Sequence, residues 1–198
     1  ISENEFLLMG AIGSQVKDYQ WLEWHSNDYD ITIEDITEDW GGVLLTGPKA
    51  REILAQRTNE DLSNSGFSWL SCKTIQIDSA QVFAMRVSYA GELGWELYIP
   101  LDGAVAVFEA ILDAGKNHGL VPAGIHAMNS LRIEKAYRHW GDDIGDQDTP
   151  LEAGLSFAVG WDKPGGFIGF EALSEQRRAG VKRRLVQFAL EDPEPLLY

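Results

Sequence analysis

The sequence predicts an α+β fold in a chain long enough to form one or two domains with a buried core. Segments with strand periodicity and segments with helix periodicity are mixed along the 198 residues, without a regular βαβ alternation. Residues 87–100 have the pattern of a β-hairpin. A hydrophobic fraction of 44% and a charged fraction of 24% are ordinary for a globular protein.

The expected elements follow from apolar periodicity and from the residues that start and stop them. Strands are expected at residues 6–12, 29–35, 40–46, 81–89, 95–99 and 151–159, with a strand-rich stretch at 67–77 and a last strand from about 184. Helices are expected at 14–25, 47–56, 103–118, 123–137 and 170–178. Residues 164–166 should form a turn, and Gly180 should close the last helix.

The helix at 103–118 allows a finer prediction. Asp102 is expected to cap its first turn, and Gly119 is expected just beyond its end. The spacing predicts one face made of Val105, Phe108, Leu112 and Gly115.

Acidic residues outnumber basic ones by 31 to 16, which gives a net charge of −15. This balance argues against general binding to nucleic acid or anionic membranes, although a local basic pocket for an anionic small molecule is compatible with it. No apolar run approaches the ~20 residues of a membrane span, so we expect a soluble chain. The single Cys72 excludes an internal disulfide and fits a reducing compartment, the cytoplasm or, in a eukaryote, the mitochondrial matrix.

Potential metal ligands are scattered, so no metal site is expected. The histidines at positions 25, 118, 126 and 139 form no HExxH motif, and one cysteine gives no zinc pattern. Four aspartates in residues 141–150 raise the alternative of a calcium loop, but their spacing is not that of an EF-hand. A solvated acidic loop is the expectation.

The hairpin at 87–100 contains the most informative carboxylate. Gly91 and Gly94 lie at the reversal, where positive φ or close backbone approach is needed. Alternation then puts Glu96 on the face opposite to that of Trp95. A strand carboxylate among aromatic residues needs a hydrogen-bond donor. An Arg or Lys of the protein could supply it, as could the paired N–H groups of a planar heterocyclic ligand.

Four stretches together resemble the folate-binding aminomethyltransferase superfamily, which includes the glycine-cleavage T-protein. They are YAGELGWELYIP at 89–100, GPKAREIL at 47–54, SLRIE at 130–134, and TPLEAG at 149–154 with FIGFEAL at 167–173. Two longer runs, AMNSLRIEKAYRHWG at 127–141 and LVQFALEDPEP at 185–195, are similar to the C-terminal folate domain of dimethylglycine and sarcosine dehydrogenases.

The resemblance implies a fold and an activity. Residues 1–54 and 145–180 would form a ferredoxin-like lobe, residues 55–144 a second antiparallel α+β lobe carrying the hairpin, and residues 181–198 the start of a C-terminal β-barrel. The implied function is a tetrahydrofolate-dependent one-carbon transfer that forms 5,10-methylenetetrahydrofolate from an N-methylated donor. FAD would belong to an N-terminal domain that oxidises the donor, because this chain carries no glycine-rich flavin fingerprint.

By the same resemblance, Tyr89 and Glu96 are the expected folate-binding residues. Glu92 and Tyr98 are secondary candidates. T-proteins have an arginine where this chain has Met128, which favours the dehydrogenases. Arg132 and Glu134 match a family motif but are interpreted as a structural helix pair.

The family's catalytic aspartate is expected upstream of residue 1, so no catalytic residue is assigned in this chain. We therefore expect a piece of a longer enzyme that also has a flavin domain. The alternatives are a non-catalytic folate-binding module and a stand-alone T-protein-like aminomethyltransferase.

Overall fold

The computed structural model describes residues 2–189 and residue 191. By its internal contacts the chain divides into two compact units, residues 1–131 and residues 132–198. The mixture of strands and helices confirms the α+β class. The lobe boundaries derived from the resemblance stay a prediction. In that division β1 (Trp40–Thr46) and β4 (Gly94–Pro100) belong to different lobes, whereas here they pair in one sheet.

A four-stranded antiparallel sheet organises the first unit. Its strands are β1, β2 (Cys72–Ile77), β3 (Ala80–Met85) and β4, arranged in the order β1-β4-β3-β2. The strands expected at 40–46 and 95–99 are confirmed, and β3 pairs with β4 in antiparallel fashion, although the reversal between them is wider than the tight one expected within residues 87–100. The strand expected at 81–89 ends at Met85, and a loop of residues 86–93 leads into β4.

One face of the sheet is covered by helices. The short helix α2 (Ala50–Leu54) and the longer α3 (Leu101–Gly115) both contact β4, and α3 also contacts β1. Trp95, Leu97 and Ile99 point into this core and are fully buried. The alternation along β4 therefore leaves Glu96 on the opposite face, as the sequence predicts.

Helix α3 corrects two expectations. It begins at Leu101, directly after the last residue of β4, and Asp102 lies in its first turn without a side-chain cap hydrogen bond. Because the strand leads straight into the helix, the strand sets which side meets the sheet. The buried residues are Val107, Ile111, Ala114 and Gly115, whereas Val105 is 69% exposed and Phe108 is 42% exposed. Gly119 adopts the left-handed conformation expected of a helix end, with φ of 74°.

The N-terminal part of the first unit is less regular than predicted. Helix α1 (Gln15–Ser26) is confirmed, but none of its described residues is buried. The strands expected at 6–12 and 29–35 are wrong. Phe6 is 79% exposed and Ile31 is 59% exposed, and no strand in the described part of the chain pairs with either segment. An apolar alternation forms a strand only where a partner edge accepts its hydrogen bonds.

Helix α4 (Ile125–Glu134) is shorter than the expected 123–137. In the second unit the strand expected at 151–159 is wrong. Thr149 and Glu152 form a reciprocal cap there, each backbone N–H donating to the other's side-chain oxygen, and this cap holds a turn instead.

Helix α5 (Phe170–Ala179) and the turn before it are confirmed, and Gly180 ends α5 with φ of 82°. Residues 184–189 form no strand, and the rest of the expected last strand lies outside the described residues apart from residue 191.

Candidate functional site

Glu96 lies at the centre of the sheet face that α2 and α3 leave uncovered. Its direct neighbours across the strands are Leu44 on β1 and Met85 on β3, and all three side chains are half-buried. Two residues further along β4, Tyr98 lies next to the half-buried Phe83 of β3. The carboxylate is thus set in a mostly apolar surface, where hydrogen bonds to a charged group are stronger than in water.

Tyr98 supplies the donor that this carboxylate needs. Its hydroxyl donates a hydrogen bond to Oε2 of Glu96 at 2.7 Å. Burial, followed by this bond and the charge of Glu96, raises the pKa of Tyr98 above its ordinary value of 10.0. The phenol therefore stays protonated at neutral pH and remains a donor. Among the described residues, no Lys or Arg forms an ion pair with Glu96.

The loop of residues 86–93 carries Tyr89, which is half-buried. The loop is anchored to the end of β1 at two points. The Gly47 N–H donates to the carbonyl of Leu93 at 2.8 Å, and the hydroxyls of Thr46 and Ser88 are 3.0 Å apart. This anchoring fixes the path of the backbone on both sides of Tyr89.

The two hairpin glycines have the two roles that the sequence predicts for such positions. Gly91 has a φ of 74°, which an L-residue rarely adopts. Gly94 is in close approach to β1, since a Cβ added there would lie 2.7 Å from the carbonyl oxygen of Leu45. Glu92, a secondary candidate, is exposed in the turn between them.

The sequence pattern places Glu96 and Tyr98 on one face but does not predict the bond between them. The available signal was their i, i+2 spacing on a strand, which brings side chains of one face close together. The Thr46–Ser88 contact had no such signal, because the two residues are far apart in the sequence. Cys72, exposed at the edge strand β2, pairs with Met85 and so lies in the same cross-strand row as Glu96.

The family-motif residue Arg132 has a structural role, but not with the expected partner. It is 3% exposed, and its Nη1 donates to the carbonyl of Tyr137 at 2.9 Å and to the carboxylate of Asp143. Asp143 also accepts the His139 N–H at 2.8 Å. The expected Arg132–Glu134 pair is therefore wrong, because residues two apart on a helix point in different directions.

The acidic loop of residues 141–150 faces solvent, and its aspartates also form hydrogen bonds and ion pairs that stabilise the loop. Asp143 makes the bonds described above. Asp148 accepts a hydrogen bond from the Gly145 N–H at 2.9 Å and forms an ion pair with Arg183 at 3.2 Å. The described residues contain no cluster of three or more His, Cys, Asp or Glu side chains suited to a metal ion.

Comparison with known proteins identifies the family. The profile described as the GCVT N-terminal domain matches residues 1–163. Human mitochondrial dimethylglycine dehydrogenase is 42% identical over 198 residues, which is 98% of this chain and 23% of that protein. An aminomethyltransferase of Caldanaerobacter subterraneus subsp. tengcongensis is 41% identical over 189 residues, covering 96% of this chain and 50% of that protein.

A solved structure agrees with both relatives. The glycine cleavage system aminomethyltransferase T from Bartonella henselae superposes with a TM-score of 0.69 at 28% identity, covering 85% of this chain and 44% of that one. The chain thus spans between about a quarter and a half of the length of these relatives. In the described part of the chain, no helix has both the length and the apolar character needed to cross a membrane. The chain belongs to the aminomethyltransferase family that is defined by the GCVT N-terminal domain.

Proposed function

We propose that this chain is the tetrahydrofolate-binding domain of a one-carbon transferase, with Glu96 as the acceptor for the pterin ring and Tyr89 as a packing partner. The observation that carries the proposal is the hydrogen bond from Tyr98 to Oε2 of Glu96 on the open face of the sheet. The bond holds this half-buried carboxylate on a mostly apolar sheet face, and no described Lys or Arg side chain forms an ion pair with it.

The carboxylate has the capacity that a pterin edge requires. An ionised carboxylate is an acceptor only, with about four lone-pair sites on its two oxygens. Tyr98 occupies one site, which leaves room for a ring N–H and an amino group that lie side by side, in a bidentate arrangement. Leu44, Met85 and Phe83 form the half-buried surroundings of the carboxylate, and this apolar setting strengthens charge-assisted hydrogen bonds.

The task of this chain in the reaction is to bind and orient. Tetrahydrofolate, when bound, supplies the nitrogen nucleophiles that accept the one-carbon unit. Glu96 fixes the pterin edge, Tyr98 fixes Glu96, and the anchored loop holds Tyr89, so the contribution of these residues is positioning. The catalytic aspartate and the pocket for the N-methylated donor are proposed to lie outside these 198 residues.

We further propose an FAD-dependent N-methylglycine-type dehydrogenase as the whole enzyme, forming 5,10-methylenetetrahydrofolate. The 42% identity to the human dimethylglycine dehydrogenase supports this, as does Met128 at the position where T-proteins carry arginine. The proposed location is the cytoplasm or, in a eukaryote, the mitochondrial matrix; the mitochondrial name of that relative supports the second of these.

A stand-alone aminomethyltransferase is the second candidate. It is supported by the relative of that name from Caldanaerobacter, which is almost as similar at 41% identity. The absorption spectrum of the full-length protein separates the two, because bound flavin gives visible absorption and an aminomethyltransferase lacks it. A non-catalytic folate-binding module would bind tetrahydrofolate without turnover of any N-methylated donor.

The test of the folate proposal is the substitution Glu96→Gln in the full-length protein. Loss of a charge-assisted interaction should weaken tetrahydrofolate binding by about 1.5–3 kcal/mol, measured by titration calorimetry. Glu109→Gln, at an exposed site on α3 over the other face of the sheet, is the matched control and should bind normally. Unchanged affinity together with lower thermal stability in Glu96→Gln would show that this carboxylate is structural.

A further inference from the structure

Two arginines of the first unit converge on one amide oxygen. Nη2 of Arg51, on α2, donates to Oδ1 of Asn64 at 2.8 Å, and Nη2 of Arg86, just after β3, donates to the same oxygen at 2.7 Å. The two nitrogens are therefore no farther apart than the sum of these distances. Two positive charges at such a separation repel each other unless a negative charge lies between them.

No carboxylate in the described part of the chain forms an ion pair with either arginine. Asp61 is an acidic neighbour, but its carboxylate accepts the Ser63 N–H at 2.9 Å. Bonds from Ser63 are the main cause of the lowered pKa of Asp61, and the charges of Lys73 and Arg51 contribute less. The sequence as a whole is strongly acidic, so this local positive charge is an exception to the balance of the chain.

Contacts with the protein fix the Arg86 side chain, whereas the Asn64 side chain is exposed and can change its conformation. Nη1 of Arg86 donates to the carbonyl of Phe67 at 2.5 Å, and its guanidinium carbon lies 5.9 Å from the ring centre of Trp95. Burial and the charge of Arg51 lower the pKa of Arg86, as expected for a cation next to another cation. Asn64 belongs to an exposed serine-rich loop, and a change in its side-chain torsions would release both donors without breaking any strand pairing.

We propose that Arg51 and Arg86 form an oxyanion-binding site, and that Oδ1 of Asn64 occupies the position of a ligand oxygen. The ligand class is a phosphate or a carboxylate, since guanidinium groups bind both through parallel N–H donors. The site is separate from Glu96. The Arg86 guanidinium lies over Trp95, whose side chain points into the helix-covered face of the sheet, and Glu96 points from the other face.

The test compares anions at matched ionic strength, with sodium chloride as the reference. Inorganic phosphate and a γ-linked triglutamate peptide are titrated separately by calorimetry, so the two arms distinguish a phosphate ligand from a carboxylate ligand. Asn64→Ala should bind the favoured anion several-fold more tightly, because the competing oxygen is gone. Arg51→Gln should bind it at least about tenfold more weakly. The control Asn59→Ala, at another exposed asparagine, should bind like the unchanged protein.

Asn64→Asp gives an independent readout that needs no ligand. A carboxylate tethered between the arginines should raise the melting temperature and abolish binding of both anions. If Arg51→Gln fails to fold, Arg51→Lys keeps the charge and loses the planar fork, and it should still weaken binding. The proposal is overturned if neither anion binds Asn64→Ala better than chloride does, or if Asn64→Asp lowers the melting temperature.

Discussion

Removing the Asp143 carboxylate should destabilise the second unit more than any neighbouring acidic substitution. Asp143 accepts two hydrogen bonds, one from Nη1 of Arg132 and one from the His139 N–H. The Arg132 side chain is only 4% exposed, so Asp143→Ala would remove the ion-pair carboxylate of a buried guanidinium that also donates to the Tyr137 carbonyl. A buried charge that loses its counter-ion is costly.

The magnitude follows from the two bonds and their exposure. A hydrogen bond to a charged group contributes about 1.5–3 kcal/mol, and a bond to a backbone N–H adds about 1 kcal/mol. The Asp143 side chain is 32% exposed, so water replaces part of both. We expect Asp143→Ala to lower the free energy of unfolding by about 2–4 kcal/mol. Asp143→Asn, which keeps one acceptor, should lose about half as much.

Urea unfolding measures the free energy, and amide hydrogen exchange at residue 139 gives a local readout. The control is Asp142→Ala, in the same loop, where the carboxylate is 62% exposed and pairs only with the half-exposed His139 among the described side chains. An exposed pair of this kind should contribute less than about 1 kcal/mol. Equal losses in Asp143→Ala and Asp142→Ala, or an unchanged exchange rate at residue 139, would show that the Asp143 carboxylate does not stabilise this loop through Arg132 and His139.

Three further predictions concern single positions. Gly94→Ala should cost about 1–3 kcal/mol of folding free energy, because the new Cβ would lie 2.7 Å from the Leu45 carbonyl oxygen; an unchanged urea midpoint would contradict this. Ala136, just beyond the end of α4, has a φ of 55°, which is strained for a residue with a Cβ. Ala136→Gly should therefore raise the free energy of unfolding by up to about 1 kcal/mol, and a lower free energy of unfolding would contradict this. The raised pKa of Tyr98 means that its stabilising contribution is complete below pH 10.0 and is lost as pH rises through the folded-state value. Ultraviolet titration should therefore show one late tyrosine that is missing in Tyr98→Phe, and identical titration curves would contradict the assignment.

Local patterns predicted the hairpin and its carboxylate well. Alternation along β4 places Glu96 opposite Trp95 because one face of this sheet is buried, so the register leaves no freedom. The same alternation at residues 6–12 and 29–35 failed. No described strand pairs with those segments, and a local apolar pattern cannot show whether a pairing strand is present.

Contacts between distant residues account for the other failures. Asp143 pairs with Arg132 because a helix end and the following loop fold back together, whereas the family motif pointed to Glu134. The convergence of Arg51 and Arg86 on Asn64 likewise joins three separate stretches of the chain. The sequence left room for a local basic pocket within an acidic protein but could not place it.

If Glu96 accepts hydrogen bonds from the pterin ring, a double-mutant cycle in which one of the two changes is made in the ligand should detect the interaction. Tetrahydrofolate and an analogue lacking the 2-amino group are titrated into the unchanged protein and into Glu96→Gln. If the carboxylate accepts a hydrogen bond from that amino group, then once either partner is removed, removing the other should cause little further loss of binding free energy. The expected coupling energy is about 1.5 kcal/mol or more. A coupling energy below about 0.5 kcal/mol, with both ligands weakened equally by the substitution, would contradict the claim.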